Sequence, residues 1–255
     1  MLATRVMPCL LLLDGGLVKT VKFRNPTYVG DPINAVKIFN ELEVDELIFL
    51  DIGAARVRSS PDFELVTRLA SECFMPFTYG GGVTSVEHMR RLHGIGIEKV
   101  AVNTAALENP ELISDAARIF GSQAVMASID ASKGLLGGHR VHSRGATRKT
   151  RWDAVAWAKQ MEAAGAGEIL LTSVDRDGTW SGYDLALLRS VTEAVRIPVI
   201  ACGGAGSVAD LKSAIDDGGA SAVAMGSMVV YQKRGFGVLI NFPGQAQLSQ
   251  LLGRD

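Results

Sequence analysis

Short apolar runs alternate with amphipathic segments from one end of the chain to the other. The runs are Val6–Leu12, Leu47–Asp51, Pro76–Tyr79, Lys99–Val102, Ala124–Asp130, Ile169–Ser173, Pro198–Cys202 and Ala222–Gly226. Each is nearly continuously hydrophobic, the pattern of a parallel strand covered on both faces. Between them stand helix starts at Asp31-Pro32, Ser60-Pro61-Asp62, Thr84-Ser-Val-Glu87, Asn109-Pro110-Glu111 and Ser207-Val-Ala-Asp210. Each offers a capping side chain followed by proline or an acid in the opening turn. Eight strand–helix units in strict alternation predict an α/β fold, a (βα)8 TIM barrel, over an open doubly wound sheet.

The chain also repeats itself. Within Tyr79-Gly-Gly-Gly-Val83 and Cys202-Gly-Gly-Ala-Gly206, Gly81-Gly82 matches Gly203-Gly204 at an offset of 122 residues, and Glu46-Leu-Ile-Phe-Leu50 matches Glu168-Ile-Leu-Leu-Thr172 at the same offset. A repeat of half the chain predicts one barrel spanning residues 1–255, built from half-barrels of about 1–122 and 123–255.

Composition narrows the partners more than the fold. A net charge of −1 gives no bulk electrostatic reason for a nucleic-acid or membrane partner. Cys9, Cys73 and Cys202 are odd in number and lack CxxC spacing, which fits reduced thiols in a cytoplasmic protein. The run Val6–Leu13 follows Arg5 but is short, contains Pro8 and meets Asp14-Gly15-Gly16 without a cleavage pattern. It reads as a buried strand rather than a signal peptide.

In such barrels the site lies at the C-terminal ends of the strands. Gly80-Gly81-Gly82 follows the third strand and Gly203-Gly204-Ala205-Gly206 the seventh; the next strand in each case ends in small polar residues, Asn103-Thr104 and Gly226-Ser227. Glycines let backbone approach an anion closely, so two phosphate sites on opposite sides of one mouth are expected, with tight turns the plainer alternative. Acids stand at the strand ends Asp51, Asp130, Asp175 and Asp177. Asp130 closes an apolar strand and suits a general acid or base of raised pKa. For Asp175 and Asp177, capping of the loop is an equal alternative to contact with substrate.

Arg5-Val-Met-Pro-Cys-Leu10, Asp51-Ile52, Val102-Asn-Thr-Ala105, Leu170–Thr179 and Gly203-Gly-Ala-Gly206 resemble the cyclase subunit of imidazole glycerol phosphate synthase along nearly the whole chain. Such cyclases take ammonia from a glutaminase partner and use it to cleave and cyclise a bisphosphorylated ribonucleotide. The resemblance implies a catalytic role for Asp130, phosphate contacts at Asn103, Thr104, Gly203, Gly204 and Ser227, and Lys19 on a mobile loop over the site. Gly81, Gly82, Asp177 and Gly226 complete the candidate substrate-binding set. It also implies that Arg5, Glu46, Lys99 and Glu168, just before strands one, two, four and six, form the charged gate that admits ammonia at the opposite end. No cofactor or metal is implied.

Two positions depart from the family pattern. Where the family reads Pro-Cys-Leu-Asp, this chain reads Pro8-Cys9-Leu10-Leu11, and aligning the half-barrels sets Leu11 opposite Asp130 in the repeat. Trp180 stands where the family usually has lysine, so a cationic contact would become an aromatic surface. A gate retained without the second aspartate resembles a paralogous branch serving bacterial surface-polysaccharide synthesis. There a glutaminase and a cyclase-like barrel supply ammonia to a third enzyme, which amidates a sugar's acetamido group to an acetamidino group. The tail Gly237-Val-Leu-Ile-Asn-Phe-Pro243 also resembles that branch. Three readings follow: ammonia delivery for sugar amidation, a histidine-pathway cyclase, or a non-catalytic subunit that docks partners and a phosphorylated ligand.

His139 and His142 lack a third ligand and are read as part of a solvated basic hairpin with Arg140, Arg144, Arg148 and Lys149. Trp152 and Trp157 fall at helical spacing and are expected to pack in the core.

Overall fold

The computed structural model of the chain describes residues 4–57, 59–134 and 137–253. Its strands are β1 (Arg5–Leu13), β2 (Gly16–Val21), β3 (Arg24–Gly30), β4 (Leu47–Asp51), β5 (Phe77–Gly80), β6 (Lys99–Val102), β7 (Val125–Lys133), β8 (His139–Ser143), β9 (Arg148–Asp153), β10 (Glu168–Ser173), β11 (Val199–Cys202) and β12 (Ala222–Met225). Among them β1, β4, β5, β6, β7, β10, β11 and β12 close a parallel eight-stranded barrel, with β12 back against β1. Each expected apolar run falls on one barrel strand, with ends shifted by a residue or a few.

The helices are α1 (Pro32–Glu41), α2 (Ile52–Val57), α3 (Phe63–Glu72), α4 (Val86–Ile95), α5 (Thr104–Glu108), α6 (Glu111–Phe120), α7 (Ala154–Ala163), α8 (Leu185–Thr192), α9 (Val208–Asp216), α10 (Ser227–Val230) and α11 (Gln245–Leu252). Their starts follow the capping chemistry. Asp31 accepts from the Asn34 amide, Ser85 from His88, and Ser207 with Asp210 forms a reciprocal capping box. In Ser60-Pro61-Asp62 the cap is Asp62, which accepts from Leu65.

Side chains of a strand alternate between barrel interior and helix layer. That period of two organises the axis. Starting at the floor, β1 carries Arg5, then Met7 and Cys9, then Leu11; β6 carries Lys99 and Ala101, with Asn103 just past its end; and β10 carries Glu168, Leu170 and Thr172. The middle positions form an apolar plug of Met7, Ile48, Ala101, Met126, Leu170 and Ile200. Charges thus lie below the plug and the polar mouth above it. The register repeats as well: Leu11 pairs with Leu50 and Leu50 with Gly80, while Asp130 pairs with Thr172 and Thr172 with Cys202.

Two antiparallel hairpins rise from the mouth, β2–β3 from β1 and β8–β9 from β7. The first corrects an expectation. Lys19 is not on a loop but within β2, paired with Thr27 and buried. The segment Leu17-Val-Lys-Thr-Val21 is rich in β-branched residues, which favour the extended backbone. The second hairpin is basic and exposed at Arg140, Arg148 and Lys149, as expected, but Arg144 is half-buried and His142 is buried with its Nε2 2.7 Å from Ser132 Oγ. Trp152 lies on β9 rather than a helix; its ring still packs 5.0 Å from that of buried Trp157 on α7. Among the described residues, no helix is long and apolar enough to cross a membrane.

Candidate functional site

At the floor, four charges alternate in a closed circuit. Arg5 reaches Glu46 at 2.8 Å and Glu168 at 2.6 Å, and Lys99 reaches the same two carboxylates at 2.9 and 3.1 Å. Thr78 Oγ1 donates a further hydrogen bond to Glu46 at 2.8 Å. Lys99 has a side chain only 15% accessible, and Glu46 only 3%. Neighbouring opposite charges raise the Arg5 pKa against the opposing effect of burial, the largest single cause.

At the mouth, one cavity gathers the strand-end residues. Asp130 and Leu11 line it, as do Lys19 and Asp177. So do Gly81, Gly82, Asn103 and Thr104 on one side, and Gly203, Gly204, Gly226 and Ser227 on the other. The glycines are required by geometry. Gly81 has φ +117° and Gly204 φ +116°; a Cβ on either would collide with backbone, of Asp51 and of Gly182 respectively. No L side chain fits there without moving a neighbouring loop.

Asp130 is the electrostatic centre. Its Oδ2 accepts from Asn103 Nδ2 at 3.0 Å, and burial, with Asp177 nearby, pushes its pKa up to about 7. A carboxyl poised there can give or take a proton near neutral pH. Asp177 is raised too, chiefly by burial, while Lys19 and the Thr20 hydroxyl, 2.9 Å from Oδ2, hold it down. Burial lowers the pKa of Lys19, whose Nζ donates to the Cys9 carbonyl at 2.9 Å. Asp51 also lines the cavity; burial raises it, and its Oδ1 accepts from the Ala54 amide at 2.8 Å. Leu11 brings only methyl groups to this surface.

Other candidates stand elsewhere. Asp175 accepts from the Lys133 amide at 2.8 Å, the loop-capping alternative. Trp180 is not among the residues lining the cavity; it takes a left-handed φ of 61° with its backbone packed against Gly206. The aromatic surface expected of it therefore does not belong to this cavity. His139 pairs with Asp184 at 3.4 Å and His142 with Ser132, so the two histidines serve different partners.

Sequence reasoning missed several lining residues, namely Ser128, Thr172, Arg56 and Gly145. Counting back by two from Asp130 gives Ser128, and the repeat carries Leu50 onto Thr172. Nothing in the sequence marks Arg56 or Gly145, because the hairpin that brings Gly145 over the mouth is a tertiary feature.

Known proteins share this sequence along most of its length. The family model described as histidine biosynthesis protein matches residues 5–234. A Pseudomonas aeruginosa protein provisionally named imidazole glycerol phosphate synthase subunit hisF2 is 53% identical over 243 residues, covering 95% of this chain and 97% of its own. The imidazole glycerol phosphate synthase subunit HisF of Alkaliphilus metalliredigens is 43% identical over 91% of this chain and 92% of its own. The protein of the same name from Streptococcus sanguinis is 47% identical over 81% and 82%.

Proposed function

The chain belongs to the histidine biosynthesis protein family, among its imidazole glycerol phosphate synthase subunit HisF members, and we propose that it conducts ammonia through its barrel for the amidation of a sugar in surface-polysaccharide synthesis. The observation that carries this reading is Leu11. It occupies the register position matching Asp130, at the mouth of a barrel whose charged floor is complete.

A glutaminase docks over the strand starts around Arg5, Glu46, Glu98, Lys99 and Glu168 and releases ammonia at the floor. Neutral ammonia passes the apolar plug, where an ion would be costly to desolvate. At the mouth, phosphate groups of a ligand seat against Gly82, Asn103 and Thr104 and against Gly204, Gly226 and Ser227, with Lys19 on the latter side and Asp177 beside it. Cyclisation needs proton transfers at two places on the substrate. Asp130 supplies one; a leucine supplies none. Ammonia therefore leaves for a third, amidating enzyme.

A second reading, the cyclase of histidine biosynthesis, is favoured by Asp130 itself, with its pKa near neutrality and its bond from Asn103. A third, a docking subunit without catalysis, needs only the phosphate cradles. Ammonium-dependent cyclase turnover by the unaltered chain separates the second from the others; robust turnover returns the protein to histidine synthesis. Glutamine-dependent sugar amidation with all partners present separates the first from the third.

A further inference from the structure

Lys19 and Arg56 are the two cations among the described residues that line the mouth. They serve different sides. Lys19 Nζ donates to the Cys9 carbonyl and lies 2.6 Å from where a Cβ of Gly226 would stand, so it belongs to the Gly226–Ser227 side. Arg56, on α2, is the cation left for the side of Gly81, Gly82 and Thr104.

The surroundings of Arg56 fit an anion that the protein itself does not supply. Its Nη2 donates to the Phe23 carbonyl in the β2–β3 turn at 3.1 Å. Its Nε is buried and has no hydrogen-bond partner. A buried guanidinium N–H left unpaired is costly, and an acceptor reaching it recovers that cost. Over the guanidinium lies the turn of the β8–β9 hairpin: a Cβ on Gly145 would stand 3.3 Å from Arg56 Nε. Arg144, Gly145 and Ala146 are all left-handed in that turn, with φ of 56°, 59° and 61°. It is held to the site by Thr104, whose Oγ1 accepts from the Arg144 amide at 2.9 Å. The nearby acid Glu108 is engaged by Arg144 at 3.3 Å.

We infer that Arg56 clamps a phosphate monoester on the Gly82–Thr104 side of the mouth, its Nε–H taking a phosphate oxygen while Nη2 keeps Phe23, so that binding draws both hairpins together over the ligand. Guanidinium suits this task because its N–H groups diverge in a fixed plane and can hold a carbonyl and a phosphate at once. The inference rests on the phosphate reading of the proposed function.

The test is an amide-resolved NMR titration of the whole chain with inorganic phosphate and with ribose 5-phosphate, using the wild type, Arg56→Gln and Arg56→Lys. In the wild type, Gly82, Thr104 and Gly145 shift together with one Kd and Gly204 and Ser227 with their own. Arg56→Gln raises the first Kd roughly tenfold or more, the loss of one hydrogen bond to a charged group, and leaves the second unchanged. Arg56→Lys keeps the charge, so its Kd falls between those two, but Gly145 no longer responds, since lysine has no N–H at the Nε position beneath that turn. If Thr104 responds equally in all three proteins, the clamp is overturned and the phosphate reading stands. If neither side of the wild-type mouth responds at millimolar ligand, the phosphate reading fails and the clamp with it.

Discussion

Leu11 and Asp130 occupy corresponding places on β1 and β7 and line one cavity: Leu11 is paired in the sheet with Leu50, and Asp130 with Thr172, 122 positions further along the chain than Leu50. Two strands of one design thus present unlike chemistry to a single ligand. One side can exchange a proton near neutral pH, and the other can only exclude water.

Leu11→Asp therefore recreates a facing pair of carboxyls. With ammonium as nitrogen donor, the unaltered chain turns over the cyclase substrate roughly 10²–10⁴-fold more slowly than a two-aspartate barrel, the usual contribution of one general acid–base group. Leu11→Asp gains turnover, and glutamine-dependent sugar amidation by the complex falls, because a charge now stands at the exit from the plug. A steady-state assay of both reactions on the two proteins checks this.

Asp130 makes stability depend on pH in an unusual direction. Its folded pKa of about 7 lies above its ordinary value of 3.8, so the folded state holds a proton that the unfolded state has lost between those values. Its contribution is present in full at low pH and disappears as pH rises from about 4 to 7, on the order of 4 kcal/mol in all. Asp130→Asn keeps an acceptor for Asn103 and cannot ionise. Urea denaturation should find it close to the wild type near pH 3.5, below both values, and more stable at pH 8; an unchanged difference between the two pH values would mean that Asp130 titrates normally.

Glu46 holds the floor together through Arg5, Lys99 and Thr78. Glu46→Ala leaves two cations sharing Glu168 and should cost roughly 3–5 kcal/mol, the range for breaking a buried pair from one side. Glu46→Gln keeps a hydrogen-bond acceptor and should cost less, while glutamine-dependent product yield falls in both. Chemical denaturation beside a coupled glutaminase assay distinguishes lost stability from lost transfer.

Gly204→Ala introduces a methyl against the Gly182 carbonyl at a left-handed φ. The loop must move, so affinity for inorganic phosphate on the Gly204–Ser227 side should fall while the response of Gly82 and Thr104 is retained. Loss on both sides would mean that the two cradles do not bind independently.

The barrel was legible because its determinants are local and periodic. A strand such as Val199-Ile-Ala-Cys202, buried throughout, needs no partner to be recognised. The floor charges were legible only through the family resemblance, and the mouth residues through the paired glycine loops and the acids at strand ends. What escaped depends on distant packing. The resemblance sets Lys19 on a loop, yet the hairpin continues β1 and closes its ladder through Leu11 and Val18. His142 looks solvated among basic neighbours until β8 folds back on β7 and sets it beside Ser132. Arg56 acquires its neighbours only when two hairpins, more than a hundred residues apart, meet above α2.

The ion-pair circuit at the floor also has a mechanical meaning. Backbone ladders join each strand only to its immediate neighbours, so they resist sliding along a seam but not flattening of the cylinder. Arg5 on β1 grips Glu168 on β10 across β11 and β12, and Lys99 on β6 reaches the same carboxylate across β7. These are diagonal struts. They hold the cross-section round at the end where no hairpin braces it, and deformation of that rim must stretch an ion pair as well as a row of amides.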